Sequence, residues 1–368
     1  MRIAIVGCGQ LSRMLALAGL PLGIQFSFIQ DDISQNRDCV EGLGIIQKSP
    51  MKLEDNSGYD AQAIAQLYQD LGAPDCITVE KEQVDLALLQ ALAIFCPIYP
   101  SVEAIKGCQH RGQEKQLLAK LNIPTSPYFY NQSALEAVKV LGYPVMVKSC
   151  TEGYDGKNQW LIKNQADAEQ FDQLGADDYI IEAFVAFDKE ISLVSLRNKR
   201  GQIEHYSLTD NHHEQGILRH SIAPAVNISD ATQLQAQGYM ERLLTELDYV
   251  GVMAMECFVI GEELMINELA PRVHNSGHWT QLGSITCQFE NHIRALAGLN
   301  LGNTKQIAVT GMLNLIGTEQ PPFDALTENS KLYWYNKAVK AQRKLGHINF
   351  IGENQQAIRE KIAQFESL

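Results

Sequence analysis

Two glutamates on neighbouring predicted strands have the residue type and the spacing of a metal-binding pair. The strands are "VGVMAMECFVI" and "ELMINELA", and a three-residue turn over residues 261–263 predicts an antiparallel register in which Glu256 lies opposite Glu268. Alternation also places apolar residues on this face, which indicates burial. These residues are Ala254, Phe258, Ile266 and Ala270.

Two facing carboxylates repel each other, by roughly 3 kcal/mol at a separation of about 5 Å and an effective dielectric of about 20. A solvated outer face would remove the conflict, but the apolar neighbours argue against it. A divalent cation between the carboxylates also removes it, and so few protein oxygens favour Mg²⁺ bound together with substrate phosphates. The sequence therefore predicts a magnesium site at Glu256 and Glu268.

Residues upstream of this pair have the chemistry of a phosphate site. Lys148 ends an apolar strand, and Lys157 lies in "GYDGKNQ", whose glycines allow the backbone to approach a phosphate closely. The pattern is not that of a P-loop, and each lysine alone could be an ordinary strand-end or turn residue. Together with the following strand "YIIEAFV", Glu190 and the facing glutamates, they predict a nucleotide site on an antiparallel sheet.

The first glycine turn, "IAIVGCGQLSRM", places a strand and a G-x-G pattern before a helix, where backbone N–H groups can hold an anion. A dinucleotide fingerprint would have a third glycine at position 12, where Ser12 stands. Asp31 or Asp32 lies at about the distance of a ribose-binding acid. We therefore favour a tight turn, with another anion or none, over a nicotinamide site.

Composition limits the class of protein. The chain of 368 residues is too long for one core, and 45% apolar and 20% charged residues are typical of a globular protein. A net charge of −13 disfavours nucleic acid or an anionic membrane as partner. No segment approaches the roughly 20 apolar residues of a membrane span or the core of a signal peptide. The eight scattered cysteines indicate reduced thiols in a cytoplasmic protein.

The elements that must position these residues follow two patterns. Residues 1–100 alternate short apolar strands with helical stretches, which predicts a parallel sheet with crossover helices. A domain boundary is expected near residues 97–101. Strands then dominate, with a helix over residues 230–248 before the two glutamate strands, and the tail from about 300 holds a strand, a basic stretch and a terminal helix. The predicted fold class is α/β (α+β).

Several motifs carry a resemblance to a known group of enzymes. Over about residues 100–300 the chain resembles the ATP-grasp superfamily, and over its whole length it is similar to the N5-carboxyaminoimidazole ribonucleotide synthetases of purine biosynthesis. The motifs are "GCGQLSRM", "EGYDGKNQ", "DNHHEQGILR", "GVMAMECF", "INELAPRVHNSGHWT" and "RKLGH". The resemblance implies a Rossmann-like domain over residues 1–100, an ATP-grasp domain over 101–300 with a lid at about 125–190, and a small C-terminal domain over 301–368.

The resemblance also implies an ATP site between two sheets. Glu256 and Glu268 would hold Mg²⁺, with Asn267 beside them, and Glu190 would meet the ribose, with His213 nearby. The phosphates would contact Arg111, Lys148, Gly153, Tyr154, Asp155, Gly156, Lys157, Asn158 and Gln159. The adenine would lie against the segment Glu182, Ala183, Phe184 and Val185.

The implied reaction transfers the γ-phosphate of ATP to bicarbonate, and the amine of aminoimidazole ribonucleotide captures the resulting carboxyphosphate or the CO₂ released from it. Asp155 is the expected proton acceptor, the glycine loop is expected to act as a lid, and Pro271 would turn Arg272 and His274 towards the site. The acceptor would lie among Gln10, Leu11, Glu80, Asp155, Arg272, His274, Lys337, Arg343 and Lys344. A homodimer is expected.

The chain departs from the family pattern at several positions. Ser12 and Asn158 stand where glycine is usual, and Lys340 stands where arginine is usual. Asn158 tolerates a positive φ better than most residues. The segment "TVEKEQV" replaces a more aromatic version, so that only Glu80 is assigned there. Ala270 occupies the position of a metal-binding asparagine in other ATP-grasp enzymes, which predicts a metal shell with more water.

Three other functions remain possible. A formate- or biotin-dependent ATP-grasp ligase is disfavoured by the long H-N-S-G-H loop. A nicotinamide-dependent oxidoreductase is disfavoured by Ser12 and the facing glutamates. A nucleotide-binding module without catalysis would not need Arg272, His274 and Lys344 in addition to an ATP site.

Overall fold

The structure is a computed structural model that describes residues 1–31, 37–54, 58–151 and 158–366. Its strands are β1 (Arg2–Val6), β2 (Gln25–Gln30), β3 (Ile45–Lys48), β4 (Cys76–Val79), β5 (Tyr128–Tyr130), β6 (Val145–Ser149), β7 (Gln159–Ile162), β8 (Tyr179–Ala183), β9 (Lys189–Arg197), β10 (Ile203–His205), β11 (Thr209–Glu214), β12 (Ile217–Ala223), β13 (Gly251–Ile260), β14 (Glu263–Ala270), β15 (Val309–Ile316), β16 (Ser330–Trp334) and β17 (Lys344–Gly352). Its helices are α1 (Gln10–Gly19), α2 (Ala61–Asp70), α3 (Leu86–Leu92), α4 (Val102–Gln109), α5 (Arg111–Lys120), α6 (Ala134–Leu141), α7 (Gln165–Gln173), α8 (Asp230–Glu246), α9 (Thr280–Gly283), α10 (Gln288–Ala297) and α11 (Gln355–Glu366).

The N-terminal sheet has the order β3-β2-β1-β4, and its described strands all run parallel. Alternate residues of β1 face opposite cores, because side chains of a strand alternate. Ile3 and Ile5 pack towards α1 and α10, whereas Ala4 and Val6 pack towards α2 and α3. The predicted Rossmann-like parallel sheet is therefore confirmed.

A second sheet, with the order β5-β8-β6-β7, is antiparallel and small. Helices α6 and α7 cover one face, where Phe171 packs with Val147 and Ile181. The opposite face is turned towards the third sheet, since Lys148 of β6 reaches Asn267 of β14. These two sheets form the walls between which the candidate site lies.

The third sheet runs in the order β14-β13-β9-β11-β12-β15-β17-β16, with β10 paired to β9. Helix α8 covers its first part, where Met240 packs against Met253 and Met255. The C-terminal strands pair directly with β12 through β15. The C-terminal region therefore extends the central sheet, and α11 packs over it with Ile358 and Ile362.

The glutamate hairpin has the predicted cross-strand pair but a different turn. Glu256 lies opposite Glu268, yet β13 ends at Ile260 and β14 begins at Glu263, so the turn has two residues rather than the predicted three. A β-bulge, in which Asn267 is the extra residue, restores the register beyond Cys257. The bulge also moves Ile266 to the opposite face, where it packs with Cys257. The prediction that Ile266 shares a face with Glu268 was therefore wrong.

All eight cysteines lie in the described ranges and none forms a disulfide. Within the described residues, no helix combines the length and the apolar character that a membrane crossing requires.

Candidate active site

The two facing glutamates are partly buried, and Glu256 is the more enclosed of the two. The side chain of Glu256 is 12% exposed and that of Glu268 is 35% exposed. Burial, and then the charge of Glu268, raise the pKa of Glu256, although the charge of His213 opposes them. A cation between the two carboxylates would relieve their repulsion, and the magnesium site stays a prediction.

The donor set fits Mg²⁺ better than a softer metal, because the side chains that converge here offer oxygen. Asn267 lies between the two walls, and its Oδ1 accepts a hydrogen bond of 3.2 Å from Lys148 Nζ. The bulge places this amide next to Glu268. Residues Glu256, Glu268 and Asn267 would hold the ion.

Helix α5 brings Arg111 to the metal pair. The Arg111 guanidinium lies 3.2 Å from Glu268 Oε2. His110 begins the helix, because its Nδ1 accepts from the backbone N–H groups of Gly112 and Gln113. Its Nε2 lies 2.8 Å from Asp178, which connects the start of α5 to the smaller sheet. Arg111 is thus held between the two sheets, and its contact with phosphates stays a prediction.

Glu182 is buried between two lysines. Its carboxylate lies 2.6 Å from Lys148 Nζ and 2.5 Å from Lys115 Nζ, and it accepts from Ser126 at 2.6 Å. Burial alone would raise the pKa of Glu182, but the charges of Lys148 and Lys115 outweigh it and lower the pKa strongly. Lys115 was missed by the sequence analysis. Its position four residues after Arg111 on a helix is the signal that could have found it.

The segment that follows Glu182 runs along the mouth between the sheets. Ala183 donates its N–H to the carbonyl of Pro127 at 2.9 Å. Phe184 is 49% exposed and Val185 is half-buried. An exposed aromatic ring at this place is suited to contact with a flat base, as the resemblance implies for adenine.

Glu190 and His213 form an ion pair at the far side of the carboxylates. They come from β9 and β11, which are neighbours in the central sheet. Burial alone would lower the pKa of His213, but the hydrogen bond with Glu190 and the charge of Glu256 outweigh it, and the pKa is raised. The structure therefore brings both predicted residues together beside Glu256.

Asn158 adopts a left-handed backbone conformation with φ of 54°. This agrees with the expectation that a position usually occupied by glycine requires a positive φ, which asparagine tolerates. Gln159 begins β7 opposite Lys148. The predicted residues Gly153, Tyr154, Asp155, Gly156 and Lys157 lie outside the described residues.

The loop after β14 divides into two halves, and the first half faces the site. Arg272 forms an ion pair with Glu82 of the N-terminal domain. His274 Nδ1 accepts a hydrogen bond from the backbone N–H of Ser276, so the ring proton is on Nε2. The Nε2 atom lies 3.8 Å from Glu256 Oε1. Burial, and then the charges of Arg272 and Lys344, lower the pKa of His274 well below its usual range. Its imidazole is therefore neutral.

The second half of the loop makes structural contacts with neighbouring strands and helices. His278 is buried and its ring lies against that of His347 of β17, with centroids 4.7 Å apart. Trp279 donates its indole N–H to Thr209 at 2.9 Å. Gln288 donates to the carbonyl of His274 at 2.6 Å. These polar groups of the loop thus make contacts within the protein.

Glu80 occupies the anion position of the first glycine turn. Its carboxylate accepts from the N–H groups of Gly9 at 2.7 Å and Ser12 at 3.0 Å. A Cβ at Gly7 would lie 2.4 Å from Glu80 and one at Gly9 would lie 2.7 Å from it. The glycines therefore make room for a side chain of the same protein, and a dinucleotide phosphate is disfavoured here. Asp31 pairs with Lys81 at 3.1 Å, and Asp32 lies outside the described residues.

The residues expected at the acceptor meet between the N-terminal turn and the C-terminal strands. Gln10 accepts from Lys337. Lys344 begins β17, and its charge influences both Glu256 and His274. Arg343 donates to the carbonyl of Ala338 at 3.2 Å. The side chain of Leu11 belongs to the core, so only its backbone could face an acceptor.

Three family models match the chain: a ribonucleotide synthetase preATP-grasp domain over residues 1–109, an ATP-grasp domain over 116–289 and a phosphoribosylaminoimidazole carboxylase C-terminal domain over 310–361. Two sheets around a carboxylate pair, with these matches, define a protein of the ATP-grasp class. The N5-carboxyaminoimidazole ribonucleotide synthase of Vibrio cholerae is 38% identical over 100% of this chain and 95% of its own length. The chain belongs to the N5-carboxyaminoimidazole ribonucleotide synthase family.

Solved structures agree with this membership. The N5-carboxyaminoimidazole ribonucleotide synthetase of Thermus thermophilus superposes with a TM-score of 0.89 at 39% identity, covering 100% of this chain and 98% of the other. The N5-carboxyaminoimidazole synthase of Aspergillus clavatus was solved in complex with ADP and 5-aminoimidazole ribonucleotide. It superposes with a TM-score of 0.86 at 28% identity, covering 100% of this chain and 97% of the other.

Proposed function

We propose that the protein is a ligase that carboxylates 5-aminoimidazole ribonucleotide at the expense of ATP and bicarbonate in purine biosynthesis. The observation that carries the proposal is the partly buried pair Glu256 and Glu268, flanked by Arg111 and His274. The raised pKa of Glu256 and the carboxylate oxygens of both side chains support Mg²⁺ at this point. The relative from Aspergillus clavatus, which binds ADP and 5-aminoimidazole ribonucleotide, supports the choice of substrates.

ATP would lie between the smaller sheet and the central sheet. Lys148 and Arg111 bind and orient its phosphates, because Arg111 lies beside Glu268 and Lys148 contacts the neighbouring Asn267. Glu190 accepts from the ribose hydroxyls, and the segment 182–185 contacts the adenine. Mg²⁺, when bound, neutralises charge on the transferred phosphoryl group.

The reaction begins when a bicarbonate oxygen forms a bond to the γ-phosphorus and the bond to the bridging oxygen of ADP breaks. The amine nitrogen of the acceptor then bonds to the carbon of carboxyphosphate, or to CO₂ released from it, and phosphate leaves. Asp155 is the proposed acceptor of the amine proton. Arg272 is charged and His274 is neutral with Nε2–H available, so both can donate to the bicarbonate oxygens.

The acceptor would bind between the glycine turn and the C-terminal strands. Lys337, Arg343 and Lys344 supply positive charge for its phosphate in a chain that is acidic overall. Gln10 and Glu80 line the opposite side through the N-terminal turn. We further propose domain boundaries near residues 100 and 300, which the three family matches support. A cytoplasmic location is supported by the cysteines, all free of disulfides, and a homodimer remains a proposal from the resemblance.

The test measures ADP release with two acceptors, 5-aminoimidazole ribonucleotide and glycinamide ribonucleotide. Each acceptor is combined with bicarbonate or with formate as the one-carbon donor. ADP release should require bicarbonate and be strongly stimulated by 5-aminoimidazole ribonucleotide. Glycinamide ribonucleotide, with its flexible aliphatic amine, should stimulate little, and formate should not replace bicarbonate. Equal stimulation by glycinamide ribonucleotide with formate would assign the protein to a formyl-transferring relative instead.

A further inference from the structure

Helix α5 contacts both walls of the site through one face. Arg111 reaches Glu268 of β14 at 3.2 Å, and Lys115 reaches Glu182 of β8 at 2.5 Å. Glu114 lies between them in sequence and accepts from the backbone N–H of Leu269 at 2.9 Å. This contact is made to the residue directly after Glu268.

Glu114 closes part of a sheet edge. β14 is the terminal strand of the described central sheet, so the edge away from β13 has no strand to bond. The chain covers this edge at two points, which lie on either side of Asn267 and Glu268. Ile266 donates to the carbonyl of Pro124 at 2.8 Å and its own carbonyl accepts from Thr125 at 2.9 Å, while Leu269 donates to Glu114.

The β-bulge at Asn267 gives the hydrogen bonds at Ile266 and Leu269 a structural role. An extra residue locally disrupts the ladder with β13, which leaves the backbone at Asn267 less constrained than in a regular strand. Bonds at Ile266 and Leu269 fix the chain before and after the bulge. The directions of the Asn267 and Glu268 side chains are then determined.

Burial of the Glu114 side chain lowers the stability of the folded protein. The residue is 2% exposed, and its Oε1 has no hydrogen-bond partner among the described residues. A buried unpaired oxygen destabilises a protein, so its presence calls for an explanation other than stability. Burial raises the pKa of Glu114 to about 7, although the charges of Lys115 and Arg111 oppose the rise. The hydrogen bond from Leu269 gives this side chain a positional task.

We propose that Glu114 is a positioning residue that, through the Leu269 amide, sets the direction of Glu268 towards Mg²⁺ and the ATP phosphates. The proposal rests on the proposed function of the glutamate pair. It predicts an effect on metal-dependent nucleotide binding and not on the acceptor, because the hydrogen bond to Glu114 comes from Leu269, the residue directly after Glu268.

The experiment compares Glu114→Ala with Glu114→Gln, whose amide oxygen can still accept from Leu269. Calorimetry measures ADP binding over a range of Mg²⁺ concentrations, and steady-state kinetics give KM for ATP and for 5-aminoimidazole ribonucleotide. Glu114→Ala should raise the half-saturating Mg²⁺ concentration on the order of 10-fold and leave the acceptor KM within about 2-fold, whereas Glu114→Gln should stay within about 3-fold of wild type.

Thr232→Val is the matched control. Thr232 is buried on α8 and donates to the carbonyl of Glu262 at 3.0 Å, at the turn end of the same hairpin. It should leave the Mg²⁺ dependence unchanged. A folded Glu114→Ala protein with the Mg²⁺ dependence of wild type overturns the proposal, as does an equal defect in Glu114→Gln or in Thr232→Val. If wild type binds ADP with Mg²⁺ but does not carboxylate the ribonucleotide, the proposed function fails while calorimetry still decides the role of Glu114.

Discussion

The charges of Glu256 and Glu268 are expected to affect protein stability and ATP cleavage differently. Burial, and then the charge of Glu268, raise the pKa of Glu256, so Glu256→Gln removes an unfavourable charge from the folded protein. Glu256→Gln should therefore keep Tm unchanged or raise it by up to about 3 °C. Glu268→Gln also removes the counter-charge of Arg111, so it should fold but should not raise Tm. ADP release should fall by about 100-fold or more, because each variant loses a charge that would face the proposed Mg²⁺.

Thermal melts, circular dichroism and ADP release check this prediction. Glu262→Gln, at the exposed turn of the same hairpin, serves as the control and should behave as wild type. Near-normal turnover of the Glu268→Gln protein would remove Glu268 from the metal site.

Glu182 should show a pH-dependent contribution to stability. The pKa of Glu182 in the folded protein is depressed below its usual 4.5, because Lys148 and Lys115 outweigh burial. Its stabilisation is therefore present above pH 4.5 and is lost as the pH falls towards the folded-state pKa. Glu182→Gln should cost about 3–5 kcal/mol at pH 7, since it leaves Lys115 buried without its counter-charge.

The measurement is urea unfolding of both proteins from pH 7 to pH 4. The difference in unfolding free energy should narrow once the pH falls below about 4.5. Glu246→Gln, which removes an exposed pair with Lys120, should change stability by less than about 1 kcal/mol throughout. A difference that stays constant with pH would show that the ionisation of Glu182 does not stabilise the fold.

Single residues show which parts of the site can be predicted from the sequence. Alternation and charge identified the Glu256–Glu268 pair correctly, although the turn was predicted one residue too long. The error was cancelled by the bulge at Asn267, and no local pattern predicts a bulge. Glu82, which binds Arg272, was not found because a partner 190 residues away in sequence leaves no local signal. The resemblance supplied the acceptor residues, which composition and spacing alone would not have grouped.

At the scale of elements, the glycine turn before α1 illustrates why a motif needs its surroundings. Its anion is Glu80, which follows a strand about 70 residues later, so the sequence could predict an anion site but not its occupant. Gly9→Ala should force the Glu80 carboxylate away from Gly9 and Ser12, because the new Cβ would lie 2.7 Å from Oε1. We expect a loss of about 1–3 kcal/mol.

Gly238→Ala is the matched control for this substitution. Gly238 lies inside α8 and nothing lies within 4 Å of the place its Cβ would take, so alanine should stabilise by about 0.5–1 kcal/mol. Chemical denaturation of both variants measures the two effects. A Gly9→Ala protein as stable as wild type would show that Glu80 does not depend on the close approach of the turn.

At the scale of the whole molecule, the proposed acceptor side of the site would be assembled from three distant segments. Glu82 meets Arg272, and Gln10 meets Lys337, so the N-terminal domain, the central loop and the C-terminal strands converge. Lys344→Ala should raise the half-saturating concentration of 5-aminoimidazole ribonucleotide about 10-fold, since it removes a cation near the acceptor phosphate. The ATP dissociation constant should change by less than about 3-fold.

ADP release at varied acceptor concentration and ATP binding by calorimetry separate the two effects. Lys340→Ala, an exposed lysine of the same segment, should leave both constants near those of wild type. If Lys344→Ala weakened ATP binding and acceptor binding equally, Lys344 would belong to the phosphoryl-transfer side instead.

The pairing of β12 with β15 also has a consequence for how the protein is made. During synthesis, β12 leaves the ribosome well before β15, which lies beyond residue 308. Until then β12 presents an open edge that other nascent chains can join. A premature stop codon between β14 and β15 should therefore yield inclusion bodies rather than a truncated enzyme, and a solubility assay of such a fragment, with and without the missing C-terminal segment supplied separately, would measure this dependence.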